Sequence, residues 1–176
     1  MEQHHIHAPH VGMRNIKTAL GVALCALVYY FWGRNPAFAC IGAIFGMGHD
    51  LEDSKRNGGN RFFGTIIGGL IGMALFRFYL VFYPQGGFHP LLILLAAVGT
   101  VLLIILCQMF WAGGVQPGGV VLCIVLFSTP VETYVTYALA RMFDTGVGVL
   151  AALLVNSCFP GGFTFHWMER LVGKKD

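Results

Sequence analysis

Long apolar runs alternate with short polar stretches along the whole chain. Six of these runs read as membrane-spanning helices: about Ile16 to Trp32, a short one from Pro36 to about Gly48, Phe62 to Phe82, Pro90 to Trp111, a short one from about Gly118 to Ser128, and Thr145 to Phe159. A helix needs about 20 apolar residues to cross the hydrocarbon core. The second and fifth runs must therefore tilt, borrow from their flanks or be partly buried in protein. The stretch MGHDLEDSKRNGGNRFFGTIIGGLIG at 47–72 shows the pattern at its sharpest, because six charges end abruptly at Arg61 and a glycine-laden apolar run follows. Asp50 to Asn57 reads as about two helical turns, with Glu52 and Arg56 spaced for mutual support. Gly58-Gly59 is expected to break that helix before the third span begins.

The two halves of the pattern resemble each other. Glu52 and Arg61-Phe62-Phe63-Gly64-Thr65 are followed eighty residues later by Glu132 and Arg141-Met142-Phe143-Asp144-Thr145. Phe31-Trp32 likewise recurs as Phe110-Trp111. Each half holds three spans, an odd number, so the second half is expected to lie inverted relative to the first. Inverted repeats with a short segment at matching places point to a transport pathway. Val131, Val135, Leu139 and Met142 form one helical stripe, and Tyr134, Tyr137, Ala138 and Arg141 another, which suits an interfacial amphipathic helix before the sixth span. The expected fold is all-α and integral to the membrane: six transmembrane helices in two inverted three-helix repeats with short amphipathic interfacial helices. Residues 1–14 form a polar His-rich tail, 15–161 the six-span domain (repeat one 15–82, repeat two 90–160), and 162–176 a short cytoplasmic amphipathic tail.

Composition narrows the class. Hydrophobic residues make up 56% of the 176 residues and charged residues 11%, against about 25% charged in soluble domains. There is too little polar surface to wrap a soluble core. Counting Lys and Arg in the loops places Arg14, Lys17, Lys55, Arg56, Arg61, Arg170, Lys174 and Lys175 on one side and Arg34, Arg77 and Arg141 on the other. By the positive-inside rule both termini face the cytoplasm. The five cysteines stand singly in apolar runs and read as small buried residues, not ligands or disulfide partners. No nucleophile elbow, zinc motif or phosphate-binding loop is present. His49 and Asp53 are spaced like an acyltransferase pair lacking one intervening residue, so an enzyme is not expected, and no cofactor is implied. The net charge of +3 is spread over loops and tail, which argues against nucleic acid.

The opening GMRNIKTALGVALCALVYYFWGRNPAFACIGAI carries Gly12, Arg14, Ile16, Lys17, Thr18, Pro36, Phe38, Ala39, Ile41 and Ala43. Ser54, Gly58, Arg61, Gly64, Thr65 and Gly68 follow, then Ala138, Arg141, Ala152 to Asn156 and Phe159-Pro160. This set resembles the membrane domain of the bacterial aromatic acid exporter family, within the wider fusaric-acid-resistance-like superfamily, over residues 11 to 161. The resemblance implies a six-span domain that moves organic, often aromatic, anions. Related plant channels look like dimers. The chain departs from the family's pattern at Gly48-His49-Asp50, where relatives often have Gln-Pro-Thr.

Candidate residues follow from charge placement. Arg61 and Arg141, at equivalent places near opposite mouths, could attract organic anions and bind carboxylates, or could pair with Glu52 and Glu132. Arg77 lies inside the third span, where a charge is a functional candidate, although its stem could snorkel to the headgroups. Arg14 and Lys17 read as orienting flanks with a second reading at a pore mouth. Glu52, Glu132, Asp50 and His49 are candidates for coupling or gating. Gly64, Gly68 and Gly72, with Gly42 and Gly46, let helix backbones approach closely, either inside one subunit or between subunits. His4, His5, His7 and His10 crowd the N-terminus as a polar tail or a weak metal site, and no complete metal site is expected. The combined expectation is a transporter or channel for small organic anions in the bacterial cytoplasmic membrane, exporting, without an ATP motif, surrounded by lipid and assembled as a homodimer or larger homo-oligomer. The competing reading is a non-transporting membrane scaffold or assembly subunit.

Overall fold

The computed structural model describes residues 12–159, and every regular element among them is helical. In chain order these are α1 (Met13–Trp32), α2 (Ala37–Gly46), α3 (Leu51–Phe82), α4 (Pro90–Phe110), a single 3-10 turn (Ala112–Gly114), α5 (Val115–Phe127) and α6 (Tyr134–Cys158). Four of them, α1, α3, α4 and α6, are long and apolar enough to cross a membrane, whereas α2 and α5 are shorter apolar helices. At 1.5 Å per residue α2 is only about 15 Å long and α5 about 20 Å. Pro36 precedes α2 and accepts its first backbone bond, from Cys40, while the chain turns away at Met47.

Local chemistry sets the helix ends. Asp50 caps α3, its side chain accepting from the Asp53 N–H at 2.8 Å. Gly33 ends α1 in the left-handed region at φ 63°, a conformation that costs other residues energy. Pro90 starts α4 at a position where no backbone donor is lost. Between α3 and α4, Gly86 and Gly87 both adopt positive φ, and the Tyr79 hydroxyl donates to the Gly87 carbonyl at 2.8 Å, tying the turn down.

Three sequence expectations change here. Gly58-Gly59 does not break a helix, because α3 runs unbroken from Leu51 to Phe82. Both glycines are packing positions: a side chain at Gly58 would run into Val149, and one at Gly59 into the Trp111 indole. Close packing outweighs the roughly 1 kcal/mol propensity cost of each glycine. The amphipathic segment around Tyr134 is not a separate interfacial helix; it forms the first turns of α6. Arg56 pairs with Asp53 at 3.2 Å and not with Glu52. The expected tails lie almost wholly outside the described residues, although α1 already begins at Met13.

The helices pack in two groups. α2 lies against α1 and α6, and α5 lies against α4 and α3. α1 also touches α6, α4 touches α3, and α3 and α6 pack on each other between the groups. The α3–α4–α5 group encloses a core of Phe76, Tyr79, Leu92, Leu103, Leu122 and Val125. The α1–α2–α6 group uses smaller residues, Cys25, Ala39, Ala43 and Ala151, around Tyr29. Glycine sets the closest approaches: Gly64 and Gly68 of α3 lie directly on the backbone of Gly114 and Gly118, Gly72 faces Val125, Gly148 of α6 lies on Ala39 and Gly42 of α2, and Gly46 faces Ala152. Large apolar side chains are exposed along the long helices, among them Leu27, Leu70, Leu94, Val101 and Leu154. Such a surface matches a hydrocarbon solvent.

Candidate functional site

The buried face of α1 repeats every fourth residue: Lys17, Gly21, Cys25 and Tyr29. It lies against α6, whose buried face includes Asp144, Thr145, Gly148, Ala152 and Asn156. The two helices run antiparallel, so the ends of one stripe meet the opposite ends of the other. Two polar clusters result, about 18 Å apart along the helices at 1.5 Å per residue.

At one end stands Asp144, 1% exposed. Its Oδ1 accepts from the Tyr29 hydroxyl at 2.6 Å and from Arg34 Nη2 at 3.2 Å. Its Oδ2 accepts from Arg141 Nη2 at 2.9 Å. The Arg141 guanidinium sits over the Phe38 ring at 3.3 Å and near the Tyr137 ring at 4.9 Å. Its Nε and Nη1 are buried and donate to nothing among the described residues. Arg34 sits between the rings of Tyr29 and Phe143.

At the other end Lys17 is 2% exposed, and its ammonium donates to Asn156 Oδ1 at 2.7 Å. Asn156 Nδ2 donates to Ser54 Oγ at 2.8 Å, and Ser54 Oγ also accepts from the Gly48 N–H at 2.8 Å. This chain of bonds joins α1, α6, the start of α3 and the turn after α2. No carboxylate pairs with Lys17 among the described residues. Beside the end of α2, Arg61 of α3 lies over the Phe45 ring at 4.6 Å, with its Nε buried and without an acceptor among the described residues.

The structure thus brings Lys17 to Asn156 and Ser54, and Arg141 to Asp144. It sets Arg61 and Arg141 on aromatic rings at the two ends of the same short helix. Glu52 and Glu132 do not reach either arginine and are exposed, as are His49 and Asp50, the latter acting as a helix cap. Glu132 lies at the rim of a cavity of about 490 Å³ with Gln85, Thr129 and Phe76. Arg77 is exposed on α3. Arg14 is exposed and donates to the Met47 carbonyl at 3.3 Å. The five cysteines are free. No group of metal-ligating side chains occurs among the described residues, and His4, His5, His7 and His10 lie outside them. Asp144, Tyr29, Arg34, Asn156 and Ser54 are not among the candidate functional residues of the sequence reading. The missed signal was Asp144 itself, a carboxylate one residue before the boundary drawn at Thr145, where charge inside a span marks a functional candidate.

Four helices long and apolar enough to cross a membrane, with large apolar side chains exposed along them, mark an integral membrane protein. The family model of aromatic acid exporter family member 1 matches residues 9–159, and the chain belongs to the aromatic acid exporter family. Among similar proteins is a UPF0421 protein of Bacillus cereus, 30% identical over 146 residues, which are 83% of this chain and 38% of that protein. A second UPF0421 protein, from another strain of that species, is 30% identical over 155 residues, 88% of this chain and 41% of its own length. The chain therefore spans about two fifths of the length of these relatives. No solved structure matches it.

Proposed function

We propose that this chain forms a pathway for small organic anions, aromatic acids among them, across the bacterial cytoplasmic membrane, working in the direction of export. The observation that carries the reading is the pair Arg61 and Arg141. Arg61 holds one buried guanidinium nitrogen, Nε, and Arg141 two, Nε and Nη1, with no acceptor among the described residues, and each arginine lies against a phenylalanine of α2. Phe38 and Phe45 are separated by about 10 Å along that helix. A carboxylate passing along α2 would meet an aromatic face and a guanidinium donor at each end.

In this reading all six helices cross the membrane as two inverted triplets, α1–α3 and α4–α6. The matched pairings support it, since α2 lies on α6 as α5 lies on α3, and α1 touches α6 as α4 touches α3. The short α2 and α5 take corresponding places. Both termini then face the cytoplasm, with Lys17 and Ser54 at the inner end and Asp144 at the outer one. The assembly is a homodimer or larger homo-oligomer. Movement is driven by a gradient or by coupled ions, with His49, Asp50, Glu52 and Glu132 as exposed groups near the two mouths.

The test is flux of benzoate and of aliphatic carboxylates in proteoliposomes. Wild-type flux is expected above protein-free vesicles. Arg61→Ala and Arg141→Ala are each expected to lower it at least tenfold, the scale of one lost hydrogen bond to a charged group, about 1.5–3 kcal/mol. Arg→Lys at each position is expected to retain part of it. Unchanged flux in both alanine variants removes these residues from the pathway. Absence of wild-type flux favours a membrane scaffold that uses the same glycine packing.

A further inference from the structure

The Asp144 cluster is not electrically balanced. Arg34 and Arg141 bring two positive charges, and Asp144 is the one carboxylate that either touches among the described residues. The other groups that touch the cluster are uncharged: Tyr29 of α1, Phe38 of α2 and Tyr137 of α6. One positive charge is left over. It does not lie idle on the surface, because Arg141 Nε and Nη1 are buried and still without acceptors. The Arg34 side chain is 44% exposed, so the cluster is open to solution on that side.

We infer that Asp144 sets the valence of the anion taken at this end, favouring single-charge anions over dianions. The inference rests on the proposal that anions pass Arg141. A monocarboxylate neutralises the residual charge and supplies the acceptor that the Arg141 nitrogens lack. A dianion brings a second charge for which no cation remains. That second carboxylate would face Asp144, itself 1% exposed, and like charges at close range repel. Both Asp144 oxygens are already held by three donors, so the carboxylate cannot rotate away without breaking bonds to Tyr29, Arg34 and Arg141. Asp144 touches no ligand in this scheme; it acts through the charge it cancels.

The experiment compares benzoate with phthalate, which share a ring and differ by one carboxylate, by calorimetry on the purified full chain at a pH that ionises both fully. Wild type is expected to bind benzoate more tightly. Asp144→Asn raises the residual charge to two and is expected to shift the benzoate-to-phthalate ratio at least tenfold toward phthalate. Arg34→Gln lowers it to zero and is expected to weaken both ligands, phthalate more. Arg34→Gln/Asp144→Asn returns it to one and is expected to restore the wild-type preference. A purely structural role for Asp144 would change stability and leave the ratio alone. A ratio unchanged across the folded variants overturns the inference, and so does a wild type that binds both ligands equally while Arg61→Ala and Arg141→Ala still lose flux. If Asp144→Asn does not fold, Arg34→Gln and the double variant decide. A wild type that binds neither anion overturns the proposed function as well.

Discussion

Replacing Asn156 by leucine tests the buried lysine most directly. Lys17 is 2% exposed and has one hydrogen-bond acceptor among the described residues, Asn156 Oδ1 at 2.7 Å. The substitution leaves the ammonium buried without it. Ser54 also loses the Asn156 donor but keeps the Gly48 N–H at 2.8 Å, so the cost falls mainly on Lys17. Hydrogen bonds to charged groups are worth about 1.5–3 kcal/mol, and leaving the buried charged donor unsatisfied adds its desolvation penalty. A loss of about 3 kcal/mol is therefore expected for Asn156→Leu. Lys17→Met removes the charge and leaves only a neutral amide oxygen unpaired, costing about 1–3 kcal/mol. The double variant replaces both partners by apolar side chains of similar volume, which can be nearly neutral or stabilising, so it is expected to be more stable than Asn156→Leu alone. Reversible unfolding in mixed micelles, with the four proteins forming a double-mutant cycle, measures the coupling. If Asn156→Leu costs under about 1 kcal/mol, or if the two changes simply add, the buried ammonium–amide bond is not what holds α1 to α6 at this end.

Gly148→Ala places a methyl group against the Ala39 carbonyl and the Gly42 backbone and is expected to cost about 1–3 kcal/mol in the same unfolding assay; Gly119→Ala, whose methyl group would meet only Leu103 at 3.9 Å, is expected to be neutral or to stabilise α5 by up to about 1 kcal/mol. Tyr29→Phe removes the 2.6 Å bond to Asp144 and is expected to cost about 1.5–3 kcal/mol, again read by unfolding. Membrane-side labelling of single cysteines at Asn35 and Lys55 is expected to place them on opposite faces of the bilayer, because α2 lies between them; the same face for both would show that α2 does not cross.

The parts of the fold that follow from residue spacing were legible in the sequence. Gly64, Gly68 and Gly72 could be read as a close-packing stripe from their four-residue period, but their partners could not, because Gly114 in the 3-10 turn and Gly118 on α5 lie far away in the chain. The continuous α3 was misread at Gly58-Gly59, since local propensity makes a glycine pair a breaker, and only the close packing of Val149 and Trp111 against it reverses that. Lys17 read as a flanking charge because it sits at the start of an apolar run; its burial depends on Asn156, which comes at the far end of the chain. Arg34 and Tyr29 look like a loop cation and an interfacial aromatic until α6 brings Asp144 between them. The candidate site was legible where it rests on arginines near span ends and illegible where it rests on contacts between the first helix and the last.

The two arginines differ because of what the glycines beside them must do. At the eighty-residue spacing Asp144 corresponds to Gly64, Thr145 to Thr65 and Asn156 to Phe76. A carboxylate at position 64 would stand three residues after Arg61, as Asp144 stands three after Arg141. That place is closed, because Gly64 lies on the backbone of Gly114 and even a single methyl group would overlap the Gly114 carbonyl. The tight contact of α3 with the 3-10 turn before α5 therefore denies Arg61 the partner that Arg141 has. On α6 the close approach falls one turn later, where Gly148 lies on Ala39 and Gly42, and position 144 keeps room for a side chain facing Tyr29 and Arg34. In lipid no hydrophobic force drives helices together, so both contacts depend on small residues, and where those residues fall decides which arginine is neutralised. The polar contact that Asp144 makes between α6 and α1 follows from that one shift in glycine position.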